Sequence, residues 1–535
     1  MAASTYAITY DVGTTGVKTC LFRLAGKIAL VGSAYAGYGL YMLKNGGAEQ
    51  DPDEWWAALC QTTKAVLQKT GLAAEAVSAV SFCSQMQSLV LVGKDGRHLR
   101  PAMSYMDNRA QKQYARGFTQ APRVAGYNVR KLLIWLSLTK AAPTSIKDPL
   151  WKYKWVQENE PEVYSRIYKW LDVKDYLVSR FTGEMTMTEG SAYATFLCDV
   201  RSSKCAWSQT LCDLAGVDMA HLPPIIASSD LAGRVTPGAA AELGLFTGTA
   251  VYGGGGDAEL IGVGVGAVAP GETHIYLGTS GWISTVTDKQ IVDPTVSIAA
   301  IVGCQRGLYH YFAEMETAGK CLEWVKDHLA LDEIGIYLQK THVAESLESV
   351  YLSLYDYLCE VVSKVPPGSN GVIFTPWLHG NRCPFEDASA RGMFFNIGID
   401  TGKSALIRAV IEGIAYHCRL MLEAHERKLP ASETIMVCGG GASSAVICQI
   451  LADVLGRKVA TLPDPQNVGA LGAAVLIAAA TGAIPSMASA KELLPPYRVF
   501  YPNAADKAAY DRQYKVFQVL HKNNKISFAA LNAST

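Results

Sequence analysis

Two stretches of the chain alternate in the same way. Residues 6–24, YAITYDVGTTGVKTCLFRL, and residues 272–288, ETHIYLGTSGWISTVTD, each carry an apolar, β-branched-rich run, a tight polar turn and a second such run. That is the pattern of a β-hairpin. The turns also match, Gly13-Thr14-Thr15-Gly16 against Gly278-Thr279-Ser280-Gly281. One such unit near the start of each half predicts a duplicated architecture. The alternative is that two Gly-Thr hairpins arose independently.

The remaining periodicities alternate between strand and helix. Asp51-Pro52-Asp53 opens a helix with an acidic cap and a proline in the first turn, followed by Trp55, Trp56, Leu59, Val66 and Leu67 at helical spacing. Val77 to Phe82 reads as a strand, and Leu89 to Val92 with Leu99 onward as a hairpin around Lys94-Asp95-Gly96. Residues 150–180 read as helical. Thr249 to Tyr252 is a strand entering the loop Gly253 to Gly256. In the second half, 404–427 is a long helix, Thr434 to Val437 a strand, 443–455 a helix, Val459 to Leu462 a strand, and an Ala-rich helix begins near Gly469. Strands and helices alternate in both halves, so the fold class is α/β. A boundary near residue 250 divides the chain into 1–250 and 251–535.

Length agrees, because 535 residues exceed what one hydrophobic core usually supports. Hydrophobic residues at 49% and charged residues at 18% exclude a disordered chain. Lys+Arg and Asp+Glu are both 48, with no long block of like charge, which argues against nucleic acid or an anionic membrane as partner. The 13 cysteines are scattered without C-x-x-C spacing, as expected of buried thiols in a reducing compartment. Val468 to Ile484 is the most apolar stretch, but its Ala and Gly content reads as a buried helix rather than a membrane span. With no secretory signal at the N-terminus, the expected location is the cytoplasm.

Candidate chemistry sits at the glycine-rich loops. In the first, glycines let backbone N–H groups approach an anion and the threonines add donors, so the turn can cradle a phosphate. Asp11, at the strand end before it, is placed to hold Mg²⁺, although an ordinary hairpin with a turn-stabilising Asp reads the same way. Gly253 to Gly256 precede Asp257, and four glycines before one carboxylate suggest close approach to a ligand, with Asp257 as a general base in an interdomain cleft or simply a helix cap. The loop Gly439 to Ser444 runs into a helix and can bind phosphate or admit a flat base.

In that order, DVGTTGVK, EQDPDEWW, YGGGGDA, YLGTSG, GNRCPFEDASARG, VIEGIAY, CGGGASS and VGALGAA resemble the FGGY family of carbohydrate kinases over essentially the whole chain. Residues 84–110, SQMQSLVLVGKDGRHLRPAMSYMDNRA, are most similar to its xylulose kinase branch. The resemblance implies two ribonuclease-H-like domains of the actin-like ATPase fold, with ATP and sugar meeting in the cleft between them. It makes Asp11 the Mg²⁺-associated carboxylate, and Gly13, Thr14 and Thr15 the first phosphate loop, with Lys18 in the same motif, where a solvated strand lysine is an equal alternative. Gly278, Thr279 and Ser280 become the second phosphate loop. Asp257 becomes the catalytic base. Gly440, Gly441 and Ala442 become the adenosine site, with Ser444 beside it and Asn467 as a further candidate. Gln85, Met86, Gln87, Tyr105 and Asp107 become the sugar-facing group, with Asp257 touching the same substrate. The expected reaction is ATP- and Mg²⁺-dependent phosphorylation of a sugar hydroxyl, D-xylulose leading, with ribulose-, fuculose-, erythritol- and glycerol-type acceptors behind it. A homodimer is left open.

Departures from the pattern concern the sugar. Gln87 stands where the xylulose kinase pattern has His, Ala258 where it has Asn, Tyr105 where it has Trp, and Gly380-Asn381-Arg382 where the family has Gly-Glu-Arg. Met86-Gln87 in place of an Arg-Glu pair argues against glycerol. Residues 126–149 fit the family poorly. Two other functions share features of this sequence, an actin- or chaperone-like ATPase without sugar transfer and a non-catalytic sugar-binding regulator; Asp257 in its glycine setting and the SQMQS segment argue against the first, and retention of both phosphate loops against the second.

Overall fold

The computed structural model describes residues 6–124, 126–329 and 360–532. Two mixed sheets organise it. The first contains β1 (Tyr6–Val12), β2 (Gly16–Arg23), β3 (Ala29–Gly37), β4 (Val77–Ser84), β5 (Leu231–Arg234), β6 (Ala250–Tyr252) and β7 (Gly255–Gly256), in the order β5-β6-β4-β1-β2-β3 with β7 also on β4. The second contains β8 (Thr273–Leu277), β9 (Gly281–Thr287), β10 (Val292–Asp293), β11 (Ile298–Val302), β12 (Tyr309–Met315), β13 (Thr434–Cys438), β14 (Lys458–Thr461) and β15 (Arg498–Phe500), in the order β10-β11-β12-β9-β8-β13-β14-β15. Each sheet starts with an antiparallel hairpin, β1–β2 or β8–β9, whose first strand then pairs in parallel with a later strand, β4 or β13. The two matching turns in the sequence therefore occupy equivalent places in a repeated topology.

Helices separate and cover the sheets. α1 (Pro52–Thr70) is capped by Asp51, whose side chain accepts from Asp53 N, and packs on β2 and β3. α2 (Asp257–Gly264) and the Ala-rich α5 (Val468–Ala480) pack on each other, and α5 also lies against β1 and β4. With Phe22 and Cys83 from the first sheet and Trp282 and Cys438 from the second, they form a core between the two sheets. α3 (Lys403–Glu426), α4 (Ala445–Leu455) and α6 (Lys507–Asn532) cover the far face of the second sheet. Residues 468–478 of α5 are all buried, as expected of an internal helix, and no described helix is long and apolar enough to cross a membrane. The described cysteines are free, and all but Cys60 are buried.

Two expectations change and a third is extended. The helical reading of 150–180 breaks into helices Pro149–Asn159, Pro161–Tyr164 and Val173–Thr182 with a strand, Lys169–Leu171, between the last two. Pro161 disfavours the helical conformation of Glu160, which sits at φ −130° and ψ 61°, and Asp172 caps a new helix through Val173 N at 2.8 Å. The hairpin after Leu89 forms as expected: Gly93 N donates to Arg97 O at 2.9 Å in its turn, Leu99 N donates to Leu91 O at 2.8 Å, and Val92–His98 and Leu89–Met103 bridge its arms. Val90–Val92 also forms a ladder with Lys169–Leu171. Finally, the boundary near 250 cuts β6, which pairs with β4, and β7 also belongs to the first sheet. The change of sheet falls between Gly256 and Thr273.

Candidate active site

Strand register brings the acids together. Asp11 on β1 lies opposite Cys83 on β4, and Gly255 on β7 lies opposite the same Cys83 from the other side. All three strands run parallel, so Asp11, Gln85 and Asp257 emerge at neighbouring C-terminal ends, where ligands of α/β sheets bind. The glycines before Asp257 are required by close packing. A Cβ on Gly254, which has φ +73°, would lie 2.3 Å from Phe82 O, and one on Gly256 would lie 2.1 Å from Met86 Sδ. The second contact also sets the 85–87 segment against the start of α2.

Burial pushes the Asp257 carboxyl up to about 7; the Ala258 N–H it accepts at 2.8 Å opposes this, and the Asp11, Glu314 and Asp172 charges add to it. Burial also raises Asp11, against the pull of Lys18 and a hydrogen bond with Cys83. Asp11 meets the first turn of α5, where a Cβ on Gly469 would sit 2.9 Å from Asp11 Oδ2. A helix N-terminus and a divalent cation both favour a carboxylate held charged in such a place, and one hard oxygen ligand beside phosphate oxygens suits Mg²⁺. Among the described residues, the one cluster of three close metal-ligating side chains is Asp51, Asp53 and His98 at the start of α1. Its Asp53 already pairs with Arg180 at 3.1 Å.

The first loop is braced from its own sheet. Gly13 N donates to Gly16 O at 2.9 Å. Tyr38 Oη donates to Gly13 O at 2.5 Å and to Gly16 O at 3.0 Å, and Tyr38 N donates to Thr15 O at 3.1 Å. Gln50 Nε2 donates to Thr14 O at 2.7 Å, and Gln85 Nε2 to Gln50 Oε1 at 2.9 Å. The Thr14 hydroxyl reaches Tyr105 Oη at 3.3 Å. Thr14 of the loop thus connects to Gln85 through Gln50 and to Tyr105 directly. Lys18 extends across to the second half, where its Nζ donates to Gln466 O at 2.9 Å.

The second loop is anchored differently. Gly319 N donates to Gly278 O at 2.8 Å, and Ala318 N and Lys320 N both donate to Thr279 O at 3.1 Å. Gly439, at φ +86°, brings its loop against Leu277, and Gly439 N donates to Pro465 O at 2.9 Å. Between these loops lies an apolar pocket whose lining includes Leu277, Ala318, Gly319, Ile414, Gly441 and Ile447. Gly440 and Ala442 lie in the adjoining turn, and the Ser444 hydroxyl caps α4 through Ile447 N at 3.2 Å. Asn467 is buried in the turn that starts α5.

Of the residues expected to face the sugar, Gln85 is buried with its Oε1 unpartnered, and Met86, Gln87 and Tyr105 are partly open. Asp107 departs from the expectation. It is fully buried, and its two oxygens are taken by Ala48 N at 2.9 Å and by Arg109, so it braces its loop instead of presenting a carboxylate to the cleft. The Asn381 exchange is also structural, because its Nδ2 donates to Cys383 O at 3.0 Å and Phe385 O at 2.8 Å and so folds its own loop. The neighbouring Arg382 pairs with Glu314 at 2.7 Å. Sequence reasoning missed Tyr38, Gln50, Ala318 and Gly319. Gln50 had a signal, as a polar residue inside the EQDPDEWW motif.

Comparison with known proteins agrees with this geometry. Residues 6–264 match the N-terminal domain, and residues 274–481 the C-terminal domain, of the FGGY family of carbohydrate kinases. A xylulose kinase of Bacillus subtilis is 27% identical over 530 residues, covering 99% of each chain. A gluconokinase of Bacillus subtilis is 27% identical over 494 residues, covering 92% of this chain and 90% of the other. The crystal structure of a ligand-bound xylulose kinase from Lactobacillus acidophilus superposes with a TM-score of 0.82 at 25% identity, over 98% of this chain and 100% of that one. With two half-length sheets of one topology, a cleft lined by paired glycine loops, and both family domains present in order, this chain belongs to the FGGY family of carbohydrate kinases and is a sugar kinase of the actin-like ATPase fold.

Proposed function

We propose that this kinase transfers the γ-phosphoryl group of ATP to a hydroxyl of a small ketose or polyol, with D-xylulose, giving D-xylulose 5-phosphate, as the leading acceptor. The observation that carries the mechanism is Asp257, a half-buried carboxyl raised to about 7 at the start of α2, with Asp11 across β4 and Met86 against Gly256. A base with a pKa near the working pH accepts a hydroxyl proton well. Asp257 takes that proton as the acceptor oxygen attacks the phosphorus in line. Gln85, Met86, Gln87 and Tyr105 orient the acceptor. The Gly13–Thr15 and Gly278–Ser280 loops hold the phosphates through amides and hydroxyls, and the apolar cavity beside Gly440–Ala442 takes the adenine. Asp11 would hold Mg²⁺, which when bound neutralises charge on the phosphate oxygens.

The gluconokinase relative supports a second acceptor, a sugar acid. The test is ADP release from ATP with pentuloses, hexuloses, polyols and D-gluconate, and NMR of the product. D-Xylulose is expected to give the largest kcat/KM, with phosphate on the terminal primary hydroxyl. A larger value with D-gluconate replaces the acceptor, and no rise above the basal rate with any acceptor overturns the transfer itself.

A further inference from the structure

Gln87 has a backbone conformation that its sequence does not explain. It sits at φ +61°, in the left-handed region that costs a residue with a Cβ about 1–2 kcal/mol. Nothing in SQMQS demands this, since no glycine or asparagine is there. The surroundings impose it. Gln87 N donates to Asp172 Oδ2 at 3.0 Å, and Ser88 N to Asp172 Oδ1 at 3.0 Å. On the other side, Lys152 Nζ donates to Gln87 O at 2.8 Å.

Both charged groups are buried, Lys152 at 0% exposure and Asp172 at 5%. Burying an ammonium costs several kcal/mol unless it is paired and hydrogen-bonded. Lys152 directs its hydrogen bond to a main-chain carbonyl, while the charges of Asp107, Asp148 and Asp172 act on it from around. Asp172 already caps the helix Val173–Thr182, so its place is fixed independently of Gln87. Lys152 is likewise fixed on the helix Pro149–Asn159. Two rigid elements thus hold one residue by its N–H and its C=O. The Gln87 carboxamide, by contrast, makes no hydrogen bond among the described residues and is partly open to the cleft.

We propose that Lys152 and Asp172 are positioning residues that clamp the Gln87 backbone so that its carboxamide is presented to the acceptor, and that this clamp sets selectivity among sugars. The proposal rests on the placement of Gln85–Gln87 at the sugar. Neither Lys152 nor Asp172 touches the reacting atoms. A site built to hydrogen-bond a hydroxyl discriminates strongly only while its polar groups are held in place.

The experiment is a double-mutant cycle between Lys152→Met and Gln87→Gly, reading kcat/KM for the best acceptor, the KM for ATP, and relative rates over the acceptor panel. Hydrogen bonds to charged groups contribute about 1.5–3 kcal/mol, so Lys152→Met is expected to lower acceptor kcat/KM by about 10- to 100-fold. The KM for ATP stays within about twofold, and the acceptor panel flattens. Glycine adopts φ +61° without strain but carries no carboxamide. In the Gln87→Gly background, Lys152→Met is therefore expected to change kcat/KM by less than about threefold. Additive losses, or a parallel rise in the KM for ATP, overturn the clamp. If Lys152→Met does not accumulate as folded protein, Asp172→Asn is read against Gln87→Gly by the same criteria. A wild-type chain that phosphorylates no acceptor overturns the proposed function instead, so the two failures are distinguishable.

Discussion

The two hairpin turns begin from sequences that differ at one position, Thr15 against Ser280, and end as different devices. In the first, the last ladder pair is Val12 with Val17, which leaves all four residues Gly13 to Gly16 outside the ladder. In the second, Gly281 itself pairs with Leu277, so only Gly278, Thr279 and Ser280 form the turn. The residue two before the first glycine is Asp11 in one and Tyr276 in the other. Tyr276 stacks on Trp282 with ring centroids 4.0 Å apart, whereas Asp11 lies opposite Lys18. The first turn is tied by Tyr38 and Gln50 from its own half, and the second by the amides of Ala318 to Lys320. One scaffold thus occurs twice, with Asp11 and Asp257 following strands of the first sheet and the apolar pocket beside the second.

That division is testable, beginning where it should break hardest. Asp257→Asn keeps the shape of the side chain and removes the base, so kcat is expected to fall about 10²- to 10⁴-fold while ATP still binds, measured by steady-state rates and nucleotide titration. The wild-type rate should rise with pH through about 7 as Asp257 loses its proton. The same shift has a stability consequence of defined sign. A carboxyl whose folded pKa is raised weakens the fold as pH climbs from about 4, its unfolded value, to about 7. The melting temperature of Asp257→Asn should therefore equal that of the wild type near pH 4 and exceed it above pH 7.

Next, Asp11→Ala removes the carboxylate proposed to hold Mg²⁺ before the first loop. Turnover at limiting Mg²⁺ is expected to fall about 10- to 100-fold and to recover in part at high Mg²⁺. Unchanged Mg²⁺ dependence would make the two turns chemically alike. On the second loop, Gly319→Ala puts a Cβ 2.5 Å from Gly278 O, which must move the loop. The KM for ATP should rise about tenfold with the acceptor KM unchanged. The smallest effect is expected for Tyr38→Phe, which deletes two hydrogen bonds to the first turn but leaves the ring. The two contacts share one hydroxyl proton, so at about 0.5–1.5 kcal/mol in all, a rise of about 2- to 13-fold in the KM for ATP checks whether the first turn depends on its own sheet.

Sequence periodicity revealed the parts that depend on local chemistry. The two hairpins, α1 with its Asp51 cap, α3 and α5 all follow from apolar spacing and caps, and Asp257 stands out because four glycines precede it. What stayed hidden depends on contacts between distant residues. Lys152 lies 65 positions from Gln87, and Asp172 85 positions, so neither has a local signature of its role. Asp107 looks like a cleft carboxylate until Ala48 and Arg109 are seen to occupy it. The interruption at Glu160-Pro161 was visible in the letters, but Trp151, Trp155 and Val156 before it and Tyr176 and Leu177 after it carry a helical spacing that masks it.

The crossing of α2 and α5 has a mechanical consequence. A Cβ on Gly264 would lie 1.9 Å from Val468 O, and one on Gly472 would lie 2.0 Å from Leu260 O, so the two helices touch main chain to main chain. There is no compressible side chain between them. Asp257 begins one helix, and Gly469, against the Asp11 carboxylate, lies in the first turn of the other. The gap between Asp257 and Asp11 is then gauged by the thickness of two polypeptide backbones meeting at these points.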